Sequence, residues 1–404
     1  MSAMVDVAIV GAGAAGIAAG RRLRDHGHSV LLIEALPRLG GRAHTKVIAG
    51  LPLDMGCGWL HSAERNPLAD LAEAADVPIL RGETAWRRQF RNLAFPERAQ
   101  REAWQAFVAF EERLRHDPPA SDCAGDALAR DDRWRPFLDA LSSYMNGAEL
   151  DRLSAADFLA YEDHSTEQNW RLPSGYGEFI ASLAVDLPMS LDTRVSSVMH
   201  DADVVLDTNR GTIRARAAII TVSTEVLAKS AIRLEPAVDD HLHAAAQLPL
   251  GLADKVFLEM ADPEAIPPES HLVGRIDTAA TGSHYMRPYG RPIIETFLGG
   301  ENARVLEETD AAAFAIDELR SLLGSDFARG LTPIATTRWA AKPTIGGSYS
   351  HALPGQHSAR AVLAAPVSER LCFAGEACSS TNFSTAHGAW ESGLIAAEWI
   401  WHGL

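Results

Sequence analysis

Three glycines and one carboxylate near the start of the chain carry its densest chemistry. Gly11, Gly13 and Gly16 stand in GAGAAG, between an apolar run from Val5 to Val10 and a helix-patterned segment ending near His26. Gly27 and a second apolar run, Val30 to Glu34, follow. In such a strand–turn–helix–strand unit the first glycine makes the tight turn and the second lets a pyrophosphate approach the backbone. The third lets helix and strand pack closely, and the helix meets the phosphates with its free N–H groups. Glu34 closes the second strand, where a carboxylate accepts from both hydroxyls of an adenosine ribose. Ala15 and Ala35 flank these residues and are assigned to the same site. Glycine-rich turns also arise for steric reasons alone, but strand, helix and acid together point to a dinucleotide cradle. The cradle by itself does not choose between NAD and FAD.

Other residues stand out for their setting. Leu39-Gly40-Gly41-Arg42 follows the second strand, and two glycines beside a guanidinium suit a second approach to a pyrophosphate; the plain alternative is a turn with a solvated arginine. Lys255 sits inside the strand-like run LPLGLADKVFLEM, where burying an unpaired ammonium is costly, unless it is an edge-strand charge. His61 follows the small-residue stretch Gly56-Cys57-Gly58-Trp59, and an imidazole titrating near neutrality can exchange a proton with a cation or hydrogen-bond to it. Near the carboxyl end LCFAGEACSS reads as a strand ending at Gly375-Glu376, and a helix begins near Thr385-Ala386.

Taken together these segments resemble the flavin-containing amine oxidase family, with motifs nearest to polyamine oxidases. The GGR segment after the ribose-binding acid favours FAD over NAD, although Leu36 stands where other members often have an arginine on adenosine. The resemblance implies further roles. Gly58 and Trp59 pass along the flavin ring, and Trp59 and Phe383 face the substrate. Val195 contacts adenine through its backbone, and Trp339 lies in the tryptophan segment before the glycine-tyrosine motif. Gly375, Glu376, Thr385 and Ala386 bring a helix N-terminus to the flavin, where its partial positive charge stabilises the anionic reduced ring. Lys255 orients a water at flavin N5, Tyr349 is one wall of an aromatic pair guiding the amine, and His61 lies near the amine. Ser348 replaces the cysteine that bonds flavin in monoamine oxidases, so FAD is expected to be noncovalent. Asn382 stands where polyamine oxidases often have tyrosine, which leaves the second aromatic wall in question.

The elements that must position these residues follow from length and pattern. At 404 residues with 47% apolar content the chain can bury two cores. The expected fold is α/β: a discontinuous Rossmann-like FAD domain (1–80, 171–240, 331–404) with an α+β substrate domain inserted (81–170, 241–330). Helical patterns cover 99–116, 126–146 and 155–163, with Trp104, Phe107, Phe110 and Leu114 as a core-facing stripe. Arg87, Arg88 and Arg91 read as a solvated face. Glu149, Asp157, Glu162, Asp163 and Glu167 could steer a polyamine.

A formal charge of −16 argues against a nucleic-acid surface. Cys57, Cys123, Cys372 and Cys378 show no metal spacing, so no metal is expected, and reduced thiols suggest a cytoplasmic protein. The first strand starts too early for a signal peptide, and no apolar run approaches the roughly 18 residues of a membrane span, so no membrane partner is expected. The expected activity is oxidation of a polyamine or another primary or secondary amine, with oxygen reduced to hydrogen peroxide, in a possible homodimer. Rival readings are an L-amino-acid oxidase, a desaturase or dehydrogenase of a nonamine substrate, and a nonenzymatic flavin-binding module. An arginine that amino-acid oxidases place at the Trp59 position is missing.

Overall fold

The computed structural model describes residues 4–87 and 89–404, without the side chain of Arg87. Val5–Val10 runs through an eight-stranded sheet because its residues alternate between two buried faces. Val7 and Ile9 join Ile17, Leu32, Leu68 and Ile400 on one side, while Ala8 and Val10 join Leu206, Ile220, Leu234 and Phe373 on the other. Covering both faces is what a parallel sheet requires. Val7 lies opposite Val30 and Ala217 in two parallel pairings. The strand Gly211–Ile220 divides its other edge: its first half pairs antiparallel with Val204–Thr208, and its end pairs parallel with Leu371–Phe373. The strands ending at Val10, Ile33, Ile220 and Phe373 therefore finish on one edge of the sheet. Ligands of such sheets bind in the crevice outside those carboxyl ends.

The helices Ala14–Asp25 and Ala386–Gly403 together cover the face that carries Val7 and Ile9. They approach closely because Gly393 has no side chain; a Cβ there would stand 2.1 Å from the Ala15 carbonyl oxygen.

The second sheet is antiparallel and has five strands, in the order Ser270–Val273, Gly282–Met286, Ile293–Gly299, Ala253–Met260, Leu331–Thr336. Its alternation is again legible. Val256, Leu258, Leu272, Met286, Ile294 and Leu298 form a core with Leu319 on one face. The other face is left for a cavity. Two expected boundaries move. The strand 331–336, placed with the nucleotide domain from sequence, pairs with Ala253–Met260 in the second sheet. The helix Asp239–Ala246 instead packs Ala244 and Ala245 into the nucleotide-side core beside Ala359 and Leu363.

The third layer is helical: Glu97–His116, Arg135–Asn146 and Ala155–Glu162 share Phe107, Phe110, Leu114, Leu138 and Phe158. The second of these starts at Arg135 rather than near 126, with proline in its first turn, where a missing N–H costs nothing. Trp104 leaves the expected core stripe: it is 41% exposed, at the cavity rather than in the core. Arg91 is exposed with its guanidinium over Phe90, and Arg88 lies outside the described residues. No helix among the described residues is long and apolar enough to cross a membrane.

Candidate active site

The glycine turn is shaped by close backbone contacts. Gly11 has φ +108°, and a Cβ at Gly16 would stand 2.0 Å from the Gly11 carbonyl oxygen. Gly13 has only the Gly40 carbonyl oxygen near, at 3.8 Å, so its outer side is open. Gly41 also has positive φ, and its Cβ position lies 3.4 Å from the Gly13 Cα, which brings the two glycine segments together. Glu34 is buried, and its two oxygens accept from the Ala12 and Leu36 N–H groups at 2.8 Å each. Each carboxylate oxygen has a second lone pair for a ribose hydroxyl. Val195 begins the strand Val195–Met199 and lines the same space, as do Ala15 and Ala35.

From this cradle one cavity of about 1410 Å³ extends between the two sheets and the helical layer. An ordinary small-ligand site occupies about 300–1,000 Å³, so there is room for a dinucleotide and a second molecule. The far wall is the free face of the second sheet, and register explains its membership. Lys255 lies opposite Phe297, Phe297 opposite Ser283, and Glu295 opposite Tyr285. All of these side chains line the cavity.

Lys255 is only 5% exposed, and its cost of burial is met in two ways. Nζ donates to the Asp54 carbonyl oxygen at 2.9 Å and pairs with Glu295 Oε1 at 2.8 Å. Gly58 runs beside it, since a Cβ there would be 3.6 Å from Nζ. Gly56 is held small by the chain itself, since a Cβ there would collide with the Arg42 carbonyl oxygen at 1.7 Å.

Arg42 and Glu376, both assigned from sequence to cofactor binding, meet one another. Arg42 Nη1 donates to Glu376 Oε1 at 2.7 Å and to the Ser348 carbonyl at 2.8 Å. Glu376 also accepts from Ser350 and from the Ser384 N–H at 2.9 Å. Burial pushes its carboxyl up, but Arg42 and Arg360 outweigh that and hold it below the usual range. Gly375, with φ +149°, has nothing within 4 Å of its Cβ position and borders the cavity. Thr385 caps the last helix by accepting from the Gly388 N–H at 2.9 Å, and Ala386 opens the first turn at the cavity. That turn supplies a partial positive charge.

His61 and Tyr349 line the cavity, and each is oriented by a partner. Asn169 Nδ2 donates to the Glu167 carbonyl, so its Oδ1 faces His61 Nδ1 at 2.7 Å. His61 therefore donates from Nδ1 and keeps an acceptor lone pair on Nε2. Burial lowers its proton affinity, favouring that neutral form. The Tyr349 hydroxyl donates to the Tyr144 carbonyl, and burial keeps it protonated. Trp59 meets Trp86 edge-on, with centroids 4.5 Å apart. Trp339 donates from its ring N–H to the Met55 carbonyl, with Lys342 Nζ 3.6 Å over its ring. Phe383 is nearly buried beneath the Arg360 guanidinium, 3.6 Å away, and offers the cavity little surface. Asn382 bonds Glu391 and is not among the lining residues.

Of the acids weighed for steering, Glu162 and Glu167 line the cavity. Asp157 is instead fully buried on Arg360, at 2.6 and 2.8 Å. Burial, and then the charge of Glu111, pushes Glu162 up to about 7. Sequence reasoning missed Glu295 and Tyr285. Both fall at alternate positions of apolar strands, which is the signal that could have found them.

The sequence matches the family of flavin-containing amine oxidoreductases over residues 14–400. It is 28% identical to polyamine oxidase 5 of Oryza sativa subsp. japonica, over 97% of this chain and 87% of that protein. It is 29% identical to lysine-specific histone demethylase 1 homolog 2 of Arabidopsis thaliana, over 98% of this chain and 58% of that one. Among solved structures, putrescine oxidase bound to putrescine superposes with a TM-score of 0.79, at 20% identity and 98% coverage of both chains. Cyclohexylamine oxidase from Brevibacterium oxydans IH-35A gives 0.78, at 21% identity over 98% of this chain and 99% of that one. With the glycine cradle, the open crevice and the buried lysine in one cavity, the chain belongs to the flavin-containing amine oxidoreductase family and is a flavin-dependent enzyme acting on amines.

Proposed function

We propose that this protein binds FAD noncovalently and oxidises a polyamine or another primary or secondary amine, with oxygen as electron acceptor. The observation that carries the reading is the continuity of one cavity from the dinucleotide cradle, past Lys255, to Trp59, His61 and Tyr349. The cradle glycines and Glu34 would hold the adenosine diphosphate half, and the helix starting at Ala386 would face the ring. When bound, the flavin would supply a two-electron acceptor for hydride from the amine α-carbon, with the amine N–H proton released, oxygen taking the electron pair and two protons to give hydrogen peroxide, and water hydrolysing the imine. Noncovalent binding is supported by Ser348, whose hydroxyl is engaged with the Ala253 backbone, and by the Cys57 thiol, which burial pushes up to about 12.

The residues around the amine have distinct tasks. Trp59 and Tyr349 would confine it against the flavin, and the His61 Nε2 lone pair would accept from its N–H. Lys255, held between Glu295 and the Asp54 carbonyl, would keep a fixed positive charge beside the reacting centre. Glu111, Glu162 and Glu167 on the cavity wall suit a second ammonium, as in a polyamine. A second reading, a bulky apolar amine, is favoured by Phe107, Phe137, Leu141 and Met145 on the same wall. The four cysteines are free thiols, which suits a reducing cytoplasm.

The test is anaerobic bleaching of the yellow protein by polyamines, aryl-alkyl amines, cyclic amines and amino acids, followed by air. Bleaching by polyamines, aryl-alkyl amines or cyclic amines with recovery in air supports the proposal and selects between the two readings, whereas bleaching by amino acids alone overturns it. Bleaching without recovery removes oxygen as the acceptor, and no bleaching by any amine removes the amine assignment.

A further inference from the structure

Behind the cavity wall a buried arginine sits among three aromatic rings. The Arg171 guanidinium carbon lies 4.6 Å from the Trp59 ring centroid, 4.7 Å from Tyr285 and 4.3 Å from Tyr289. Its side chain is 7% exposed and pairs with Glu269. Trp59 and Tyr285 line the cavity, whereas Arg171 and Tyr289 stand behind them. Trp59 belongs to the loop running from the nucleotide domain, and Tyr285 to the second sheet, so one guanidinium joins walls from two parts of the fold.

The surroundings hold this arrangement at a local cost. Glu269, Arg287 and Tyr289 all have left-handed backbone, with φ of +57°, +55° and +59°. Such conformations are costly for residues with a side chain and persist where neighbouring structure over-determines them. Here the Tyr289 N–H donates to Glu269 Oε1 at 2.6 Å, and Arg291 lies over the Tyr289 ring at 4.5 Å. Two left-handed segments, at Glu269 and at Arg287 to Tyr289, thus bring a carboxylate and a ring to the same guanidinium. Arginine suits the place because its planar group can meet several ring faces while a carboxylate holds its edge, which a lysine ammonium cannot do.

We infer that Arg171 is a positioning residue for the amine site, acting through Trp59 and Tyr285: its stacking sets where the two aromatic walls stand and so controls amine affinity. Only the kinetic part rests on the amine oxidase reading.

The test uses the flavin-loaded protein labelled with 5-fluorotryptophan, with the Trp59 fluorine signal assigned through Trp59→Phe. Arg171→Met is expected to shift and broaden that signal while leaving that of Trp339 in place. In anaerobic stopped flow, the apparent Kd of the best reducing amine should rise about tenfold, which is the scale of a desolvated cation–ring contact. The limiting reduction rate should stay within about twofold, as expected when ground-state and transition-state binding are weakened equally. Arg171→Lys should fall between, and Glu269→Gln, which loosens the guanidinium's edge but leaves it among the rings, should move both readouts less than Arg171→Met. An unmoved Trp59 signal in Arg171→Met, or a loss confined to the limiting rate, would overturn the inference. If no amine reduces the flavin, the functional proposal fails, and the fluorine signal still decides whether Arg171 positions Trp59.

Discussion

Replacing Glu376 by glutamine tests how the nucleotide domain is tied to the mouth of the site. The substitution keeps the shape, removes the charge and turns one acceptor oxygen into a donor. In the wild type Oε1 accepts from Arg42 at 2.7 Å and the Ser350 N–H at 3.2 Å, and Oε2 accepts from the Ser350 hydroxyl at 2.7 Å and the Ser384 N–H at 2.9 Å. An amide nitrogen at Oε1 would face two donors. At Oε2 it would face one, the Ser384 N–H, because the Ser350 hydroxyl can turn to accept. The second orientation therefore wins and leaves one N–H unsatisfied, at about 1–3 kcal/mol. Arg42 also loses the carboxylate it pairs with, and breaking a buried pair costs about 3–5 kcal/mol in total. Denaturant unfolding at pH 7, with and without flavin, should show a loss of that size. The pH dependence has a definite sign. A carboxyl held below its usual range contributes stability above its unfolded value near 4.5 and loses it as pH falls through the folded value, so the gap between wild type and Glu376→Gln should narrow below about pH 4.5. A difference under about 1 kcal/mol at pH 7 would refute the reasoning, because desolvation would then have cancelled the whole network.

Three further outcomes are expected. Lys255→Met should slow reoxidation by oxygen about tenfold or more, with a smaller effect on anaerobic reduction, since it removes a fixed positive charge; equal effects on the two half-reactions in stopped flow would count against that role. Gly16→Ala should yield protein with little bound flavin, because its Cβ would stand 2.0 Å from the Gly11 carbonyl oxygen; flavin content near wild type by absorbance would show that the turn can yield. For Glu162, a folded value of about 7 lies above the unfolded value near 4.5, so the native state resists its ionisation and is progressively destabilised as pH rises between them. Glu162→Gln should therefore raise the melting temperature at pH 8 and change it little at pH 5, and a stabilisation equal at both pH values would contradict the burial argument.

The parts that were legible share a local cause. Strand, turn, helix and acid lie within Val5 to Glu34, and the identity of each residue follows from a steric or hydrogen-bonding demand met within that stretch. The same holds for the cap at Thr385, where a threonine before an apolar helix satisfies an N–H three residues on. The apolar run in Val5–Val10 agrees with a strand buried on both faces, because side chains of a strand point to opposite sides in turn.

What could not be read depended on which distant segments meet. Nothing local says that Arg42 and Glu376 would pair, that Phe383 would lie under Arg360, or that the strand after residue 330 would join the second sheet. Lys255 shows the division most clearly. The sequence alone marked it as an ammonium in an apolar strand that must find a partner or an edge, since an unpaired buried charge is too costly to keep. Only tertiary pairing decided that the partner is Glu295, because register between two antiparallel strands sets which side chains share a face.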